Sequence, residues 1–357
     1  PCSMTNNKEG KFKLKTQVLK PDAAAMALAV RLLKDGKLVG MPTETVYGLA
    51  ADALNEDAVR DIFIAKGRPG DNPLIVHIAD TAQLYPLIAA APSPAARALM
   101  DAFWPGPMTL IFPKSDRVPL RTTGGLNTVA VRFPSHPVAQ SLIRQSGLPL
   151  AAPSGNRSGR PSPTTAAHML EDMNGRIELI LDGGSCDVGV ESTVIDVTGS
   201  VPRILRPGGV TREMIAEVCG ACEVDGAVMR PLKENERPKS PGMKYRHYAP
   251  AGQLTIFHGD AARVSAAICT AYDQALCEGH RPLILALEGN ISAYGARRTE
   301  SLGSDATQMA HAVFAVLRDA DSINADVIFS EAVETEGIGL AVMNRLGRAA
   351  AFHIIEV

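Results

Sequence analysis

Five short segments place hydroxyls, single cations and glycine–proline turns at the ends of apolar runs. In PTETVYGLAADA (42–53), Thr43, Glu44, Thr45 and Tyr47 follow directly on an apolar strand. Open α/β sheets place ligands at such strand ends, though a capped turn with a core tyrosine would use the same residues. In IFIAKGRPGDNPLIVHI (62–78), a helix carrying Lys66 runs into Gly67, Arg68 and Pro69. Cations stabilise a helix C-terminus by themselves. The same turn also aims both cations at one cleft, where they can hold a polyphosphate. His77 lies inside an apolar strand, where a hydrogen-bonded core histidine is the simpler reading. In NTVAVRFPSHP (127–137), Arg132 takes the strand face opposite Val129 and Val131. A buried arginine needs an anion, either a substrate carboxylate or an internal salt bridge.

The fourth segment, PLAAPSGNRSGRPSPTTAAHML (149–170), crowds Ser154, Asn156, Arg157 and Arg160 into a loop before a helix, a natural anion site. Within it, Ser162-Pro163 fits an N-cap followed by proline at the first helical position. The fifth joins GGSCDVGVESTVIDV (183–197) to ILRPGGVT (204–211), where Glu191, Ser192 and Thr193 begin one strand and Arg206 ends the next. Gly183-Gly184 and Gly208-Gly209 read as turns. Each segment alone is explicable as turn chemistry. As a set they offer several cations, at least five hydroxyls and few acids. No nucleophile–histidine pair, four-ligand metal set or G-x-x-x-x-G-K-[ST] loop accompanies them. That inventory suits a triphosphate held beside a small polar zwitterion better than it suits hydrolysis.

The frame that must position these residues alternates β-rich runs with helical patterns. Strands are predicted over 37–43, 73–79, 108–114 and 128–134, and near 149–152, 178–181, 192–197 and 202–206. Helices are predicted over 56–67, 81–90, 94–103, 136–146, 164–172 and 211–218. The fold class is therefore α/β, with a large, possibly mixed sheet over residues 14–222. From 223 to 252 proline, glycine and charge break every period, which reads as a linker. Residues 253–357 resume a strand–helix–strand rhythm, a smaller Rossmann-like domain. Gly259-Asp-Ala-Ala gives its first helix no glycine fingerprint, so a dinucleotide is not expected there.

Composition narrows the classes. With 357 residues, 46% of them apolar and 21% charged, the chain fits two globular domains. A net charge of -2 argues against a surface devoted to nucleic acid. No run of eighteen apolar residues spans a membrane, and the N-terminus lacks the apolar core of a signal peptide, so a reducing cytoplasm is expected. Cys219-Gly-Ala-Cys222 has metal or redox spacing but stands as a lone pair after a helix, and inert thiols are expected.

Taken in order, PTETVYGL, AKGRP with DNPLIVHI, WPGPMTL (104–110), APSGN with RPSPT, VESTVID and RPG resemble the threonylcarbamoyl-AMP synthase family, the YrdC-like enzymes. PGMKYRHYAP (241–250) and GIGLAVMNR (337–345) resemble the linker and C-terminal domain of its longer form. The resemblance implies a YrdC-like twisted mixed-sheet domain. It also implies a reaction in which L-threonine, bicarbonate and ATP, carrying Mg²⁺ with it, give threonylcarbamoyl-AMP and pyrophosphate. The product would pass to a tRNA threonylcarbamoyl transferase. By the same resemblance Lys66, Arg68, Asn72, Thr128, Ser154, Asn156, Ser162, Arg206 and Tyr245 belong with ATP, and Thr43, His77, Arg132 and Ser192 with threonine. Lys66, Arg68 and Arg132 would carry the chemistry, with Lys66, Arg68 and Arg206 offsetting repulsion among the anions and Arg132 holding the amino-acid carboxylate. Tyr245 and its neighbours would cover the cleft as a lid. Gly155 stands where the family pattern implies alanine in many members.

Two other functions use similar parts. A carbamoyl-adenylate-forming enzyme of the hydrogenase-maturation type shares the expected fold, but would bring zinc-finger cysteine clusters that this chain lacks. A non-catalytic double-stranded RNA-binding or ribosome-maturation protein would use the cations for phosphates, with weak, salt-sensitive affinity.

Overall fold

The computed structural model describes residues 14–70, 72–231 and 248–357. In chain order the first sheet's elements are β1 (Gln17–Leu19), α1 (Ala23–Lys34), β2 (Val39–Met41), β3 (Gly48–Asp52), α2 (Glu56–Lys66) and β4 (Ile75–His77). Then come α3 (Pro94–Phe103), β5 (Met108–Pro113), β6 (Thr128–Arg132), α4 (Pro137–Ser146) and β7 (Leu150–Ala151). The series closes with α5 (Ala166–Met173), β8 (Leu179–Leu181), β9 (Thr193–Asp196), β10 (Arg203–Arg206), α6 (Arg212–Cys219) and β11 (Glu223–Val224). Eleven strands form one sheet in the order β1-β8-β2-β3-β7-β4-β6-β5-β9-β10-β11. The sheet is mixed: β4 runs parallel to β6 but antiparallel to β7, and β5 runs antiparallel to β6.

The period-two alternation of the central strands divides their side chains between two environments. Val76, Leu110, Phe112, Val129, Val131 and Ile195 enter the main core with Val59 and Ile62 of α2. On the other face, Ile75, Ile111, Ala130, Val194 and Leu205 form a small apolar floor. His77 and Arg132 are register partners beside that floor. The main core thus backs the strands while their second face stays available for polar side chains.

Three sequence expectations change here. Residues 81–90 form two short 3₁₀ turns, Thr81–Gln83 and Tyr85–Leu87, because Pro86 interrupts any longer helix. Ser162 does not cap α5. The helix starts three residues later, with Thr165 Oγ1 accepting from the His168 N–H at 3.2 Å. The Pro163 carbonyl accepts instead from the Tyr47 N–H at 2.8 Å, which holds the 161–164 stretch extended. The stretch read as a linker also begins with order: β11 extends the sheet, and Ala227 and Val228 are buried. Residues 232–247, with Tyr245 and most of the expected lid, lie outside the described residues.

The second sheet comprises β12 (Gln253–His258), α7 (Ala261–Cys277), β13 (Pro282–Ala286), β14 (Thr299–Ser301), α8 (Ala306–Ser322), β15 (Val327–Glu331), α9 (Gly339–Ala349) and β16 (Ile354–Glu356). Its five strands are all parallel, in the order β14-β13-β15-β12-β16. Helices cover both faces, α7 on one and α8 with α9 on the other, so β13 reads as an unbroken apolar run. The core between this sheet, α8 and α9 also takes in Val46, Val190 and Tyr248 from outside the second sheet. Buried ion pairs join the two sheets: Arg318 to Asp172 at 2.5 Å and Arg345 to Glu191 at 2.8 Å. Among the described residues no helix is long and apolar enough to cross a membrane.

Candidate active site

One cleft lies over the sheet face that carries His77 and Arg132. Arg68, His77, Arg132, Ser154, Ser192 and Arg206 all border it. Strand register accounts for the grouping. Arg132 pairs with His77 on one side and with Thr109 on the other. Thr109 Oγ1 lies 2.8 Å from Ser192 Oγ. Arg206, at the end of β10, donates Nε and Nη2 to the Ser192 carbonyl at 3.2 and 3.0 Å, and Nη2 to its hydroxyl at 3.1 Å.

Arg132 has protein partners of its own. Its Nη2 meets Glu44 Oε1 at 2.8 Å, Nη1 donates to Thr45 Oγ1 at 2.8 Å, and Nε donates to the Gly106 carbonyl at 3.4 Å. The internal salt bridge that the sequence allowed is therefore present. A guanidinium has five donors, so three fixed contacts orient it and leave two N–H groups beyond those contacts. Burial raises the Glu44 carboxyl, but the Arg132 charge and hydrogen bond outweigh that and keep it below its ordinary value. His77 is pushed down to about 3, chiefly by burial and then by Arg132, and its ring is neutral near pH 7.

Lys66 reaches the site from the end of α2 through the loop after β7. Its Nζ donates to the carbonyls of Ser154 and Asn156 at 2.5 and 2.6 Å, and lies 3.4 Å from Asn156 Oδ1. Asn156 Nδ2 in turn donates to the Arg157 and Arg160 carbonyls. Neither Lys66 nor Asn156 borders the cleft; together they fix the shape of the loop that presents Ser154. Gly67, at φ 61°, ends α2 in the left-handed conformation and turns the chain so that Arg68 faces inward.

Other candidates are more distant. Thr43 spends its hydroxyl on its own turn, donating to the Val46 carbonyl at 2.6 Å, and Thr45 is the threonine at the wall. Thr128 sits at the opposite end of β6 from Arg132, roughly 13 Å along the strand, and does not line the cleft. Asn72 is fully buried, and neither atom of its amide finds a partner among the described residues. Ser162 Oγ donates to Glu191 Oε1 at 2.5 Å.

Sequence reading named Glu191 without giving it a role and did not reach Tyr248; both are wall residues. Among the described residues, Glu191 carries the one carboxylate on a wall that holds three arginines. Burial pushes its carboxyl up, but Arg345 and then Arg206 outweigh this and hold it at about 2. Tyr248 is buried with φ at 64°, a conformation that few residues other than glycine adopt, and its ring lies 5.0 Å from that of Phe314. The motif VESTVID flagged the carboxylate, but only the packing of α9 shows what balances it.

Gly208 is not a simple turn residue. A Cβ there would stand 2.4 Å from the Glu191 carbonyl oxygen and 2.5 Å from the Thr193 nitrogen. The RPGG loop therefore lies directly on the strand that presents Ser192. Cys219 and Cys222 are free thiols, and burial raises both. Among the described residues no three His, Cys, Asp or Glu side chains gather to hold a metal.

Comparison with known proteins places the chain beside characterised relatives. A family model, Sua5_yciO_yrdC, described as "Telomere recombination", matches residues 31–208. A second, Sua5_C, described as "Threonylcarbamoyl-AMP synthase, C-terminal domain", matches residues 210–351. The threonylcarbamoyl-AMP synthase of Bacillus subtilis is 47% identical over 96% of this chain and 97% of its own length. That of Pyrococcus abyssi is also 47% identical, over 92% and 95% respectively. The crystal structure of P. abyssi Sua5 complexed with L-threonine is 45% identical and superposes with a TM-score of 0.90, covering 96% of this chain and 99% of that one. Likeness of that extent, over nearly the full length of both chains, places this chain in the threonylcarbamoyl-AMP synthase family.

Proposed function

We propose that this chain condenses L-threonine, bicarbonate and ATP into threonylcarbamoyl-AMP and pyrophosphate. The observation that carries the reading is the single cleft shared by Arg68, Arg132, Arg206, His77, Ser154 and Ser192. The amine of threonine attacks bicarbonate, or its dehydrated form, and water is lost as the carbamate forms. A carbamate oxygen then attacks the α-phosphorus of ATP, and pyrophosphate leaves. Both steps bring anions together, so the arginines contribute mainly by offsetting repulsion in a site shielded from water.

Arg132 holds the threonine carboxylate with its two remaining donors. Thr45, held by Arg132, and Ser192, held by Thr109 and Arg206, present fixed hydroxyls to the threonine hydroxyl, and an analogue lacking that group would lose those contacts. A neutral His77 puts no positive charge against the attacking amine. Arg68 and Arg206 face the phosphates, while Lys66 and Asn156 hold the Ser154 loop in place. Mg²⁺ bound to the ATP phosphates would screen their charge, and no cluster of acidic side chains among the described residues is assigned to hold it. Positioning then supplies most of the acceleration. The product suits a transferase that acts on tRNA, and we place the reaction in the cytoplasm. The cleft arginines are buried at 9%, 3% and 7% exposure, a poor arrangement for gripping duplex RNA from outside.

The test is pyrophosphate release with ATP while threonine and bicarbonate are withheld in turn. Release should require both. Release that requires neither would sink the proposal.

A further inference from the structure

Among the described residues, Arg345 is the largest side chain with no solvent exposure. It belongs to α9 of the second sheet, yet it adjoins the wall of a cleft built on the first. Its Nε donates to Glu191 Oε2 at 2.8 Å, Nη2 to the Glu191 carbonyl at 3.4 Å, and Nη1 to Asn344 Oδ1 at 2.7 Å. Its guanidinium carbon lies 5.6 Å from the centre of the Tyr248 ring. Glu191 and Tyr248 both border the cleft, and Ser162 takes the other Glu191 oxygen.

A bare carboxylate is a poor wall for a site that must gather a polyphosphate and a carbamate. Glu191 precedes Ser192, the residue that Arg206 grips by three hydrogen bonds. Uncompensated, the Glu191 charge would repel phosphate directly and would draw Arg206 to itself. Both effects weaken while a second guanidinium satisfies the carboxylate from behind.

Resting on the synthase reading, we infer that Arg345 is a positioning residue for nucleotide binding. It neutralises Glu191 and so keeps Arg206 directed at the phosphates. The C-terminal domain thereby completes the electrostatics of a cleft that the N-terminal domain builds.

The test compares the full chain with Arg345→Ala, Glu191→Gln and the double variant. Threonine- and bicarbonate-dependent pyrophosphate release is titrated separately against ATP and against threonine. Arg345→Ala strips one partner from a buried ion pair, and should raise KM for ATP by ~10-fold or more. KM for threonine should move less. Removing the carboxylate as well should bring KM for ATP back towards its original value, because nothing then competes for Arg206. Glu191→Gln alone keeps Arg345 as a surplus cation and should lower KM for ATP. That arm reads the inference even where Arg345→Ala does not fold. A mere structural brace gives a different pattern. Both Michaelis constants rise together, the double variant is no better than Arg345→Ala, and Glu191→Gln raises KM for ATP; that pattern overturns the inference. Unsubstituted chain that releases pyrophosphate without threonine or bicarbonate removes the synthase reading instead, and this inference falls with it.

Discussion

Lys66 is held between opposing pulls. Three oxygens of the Ser154–Asn156 loop favour its ammonium, while burial first and the charge of Arg68 second lower its pKa to about 7. The unfolded side chain titrates near 10.5, so between those limits the unfolded state binds more protons than the folded one. Stability contributed at this position therefore rises as pH climbs from about 7 towards 10.5, and is lowest below that window. Urea unfolding of the native chain and Lys66→Met at pH 7 and at about pH 9.5 should show the native chain gaining relative to the variant at the higher pH. A constant difference would mean that the loop oxygens hold the proton throughout. The types of these residues were legible in the sequence, but their division of labour was not. Spacing of two between Lys66 and Arg68 does not reveal that one builds a loop while the other lines the cleft. Glu44 likewise stood beside two threonines as a polar residue, and only the register of β6 makes it the partner of Arg132.

At the scale of elements, long periodic segments were readable and short or uniform ones were not. Helix α2 announces itself with Asn55 as cap and Gly67 as stop, and α3 with Ser93 and a proline at its start. The run AAAMALAVRLLK of α1 hides its period, because alanine is compatible with either face of a helix. Strand β3 (GLAAD) carries no β-branched residue, and β1 is a short edge strand. In α9, a glycine at each end masks a helix whose middle supplies Arg345. Two glycines of the site loops should respond differently to the same change. A Cβ at Gly208 meets backbone atoms of 191–193, which cannot yield without moving Ser192. Gly208→Ala should therefore cost about 2 kcal/mol in denaturant unfolding and weaken ATP binding as well. The three atoms nearest a Cβ at Gly155 all belong to the Met169 side chain, with Cε at 2.6 Å, Sδ at 2.8 Å and Cγ at 3.2 Å. Gly155→Ala should cost less than about 1 kcal/mol, since methionine repacks readily. Equal penalties would show that the 155 loop is as rigid as the 208 loop.

For the molecule as a whole, composition and rhythm disclosed two α/β sheets but not how tightly they are joined. The joint depends on pairs distant in sequence, which no local pattern encodes. Arg318 of α8 donates Nη2 to Asp172 Oδ2 at 2.5 Å and to the Pro161 carbonyl at 2.6 Å, and Nη1 to Glu171 Oε2 at 3.1 Å. The Asp172 side chain has no solvent exposure, and Arg160 is its other ionic partner, at 2.5 Å. Arg318→Ala should cost about 3 kcal/mol in denaturant unfolding, because it leaves a buried carboxylate half-compensated. A cost below about 0.5 kcal/mol would mark the pair as dispensable. Alternation in β6 carries a last consequence. Val129 and Val131 enter the oily interior while Arg132 meets the polar hollow, so dropping or adding one codon within the strand would exchange their places. The gene can lengthen its loops, but an odd-numbered insertion or deletion here would cost foldability and turnover at a single stroke.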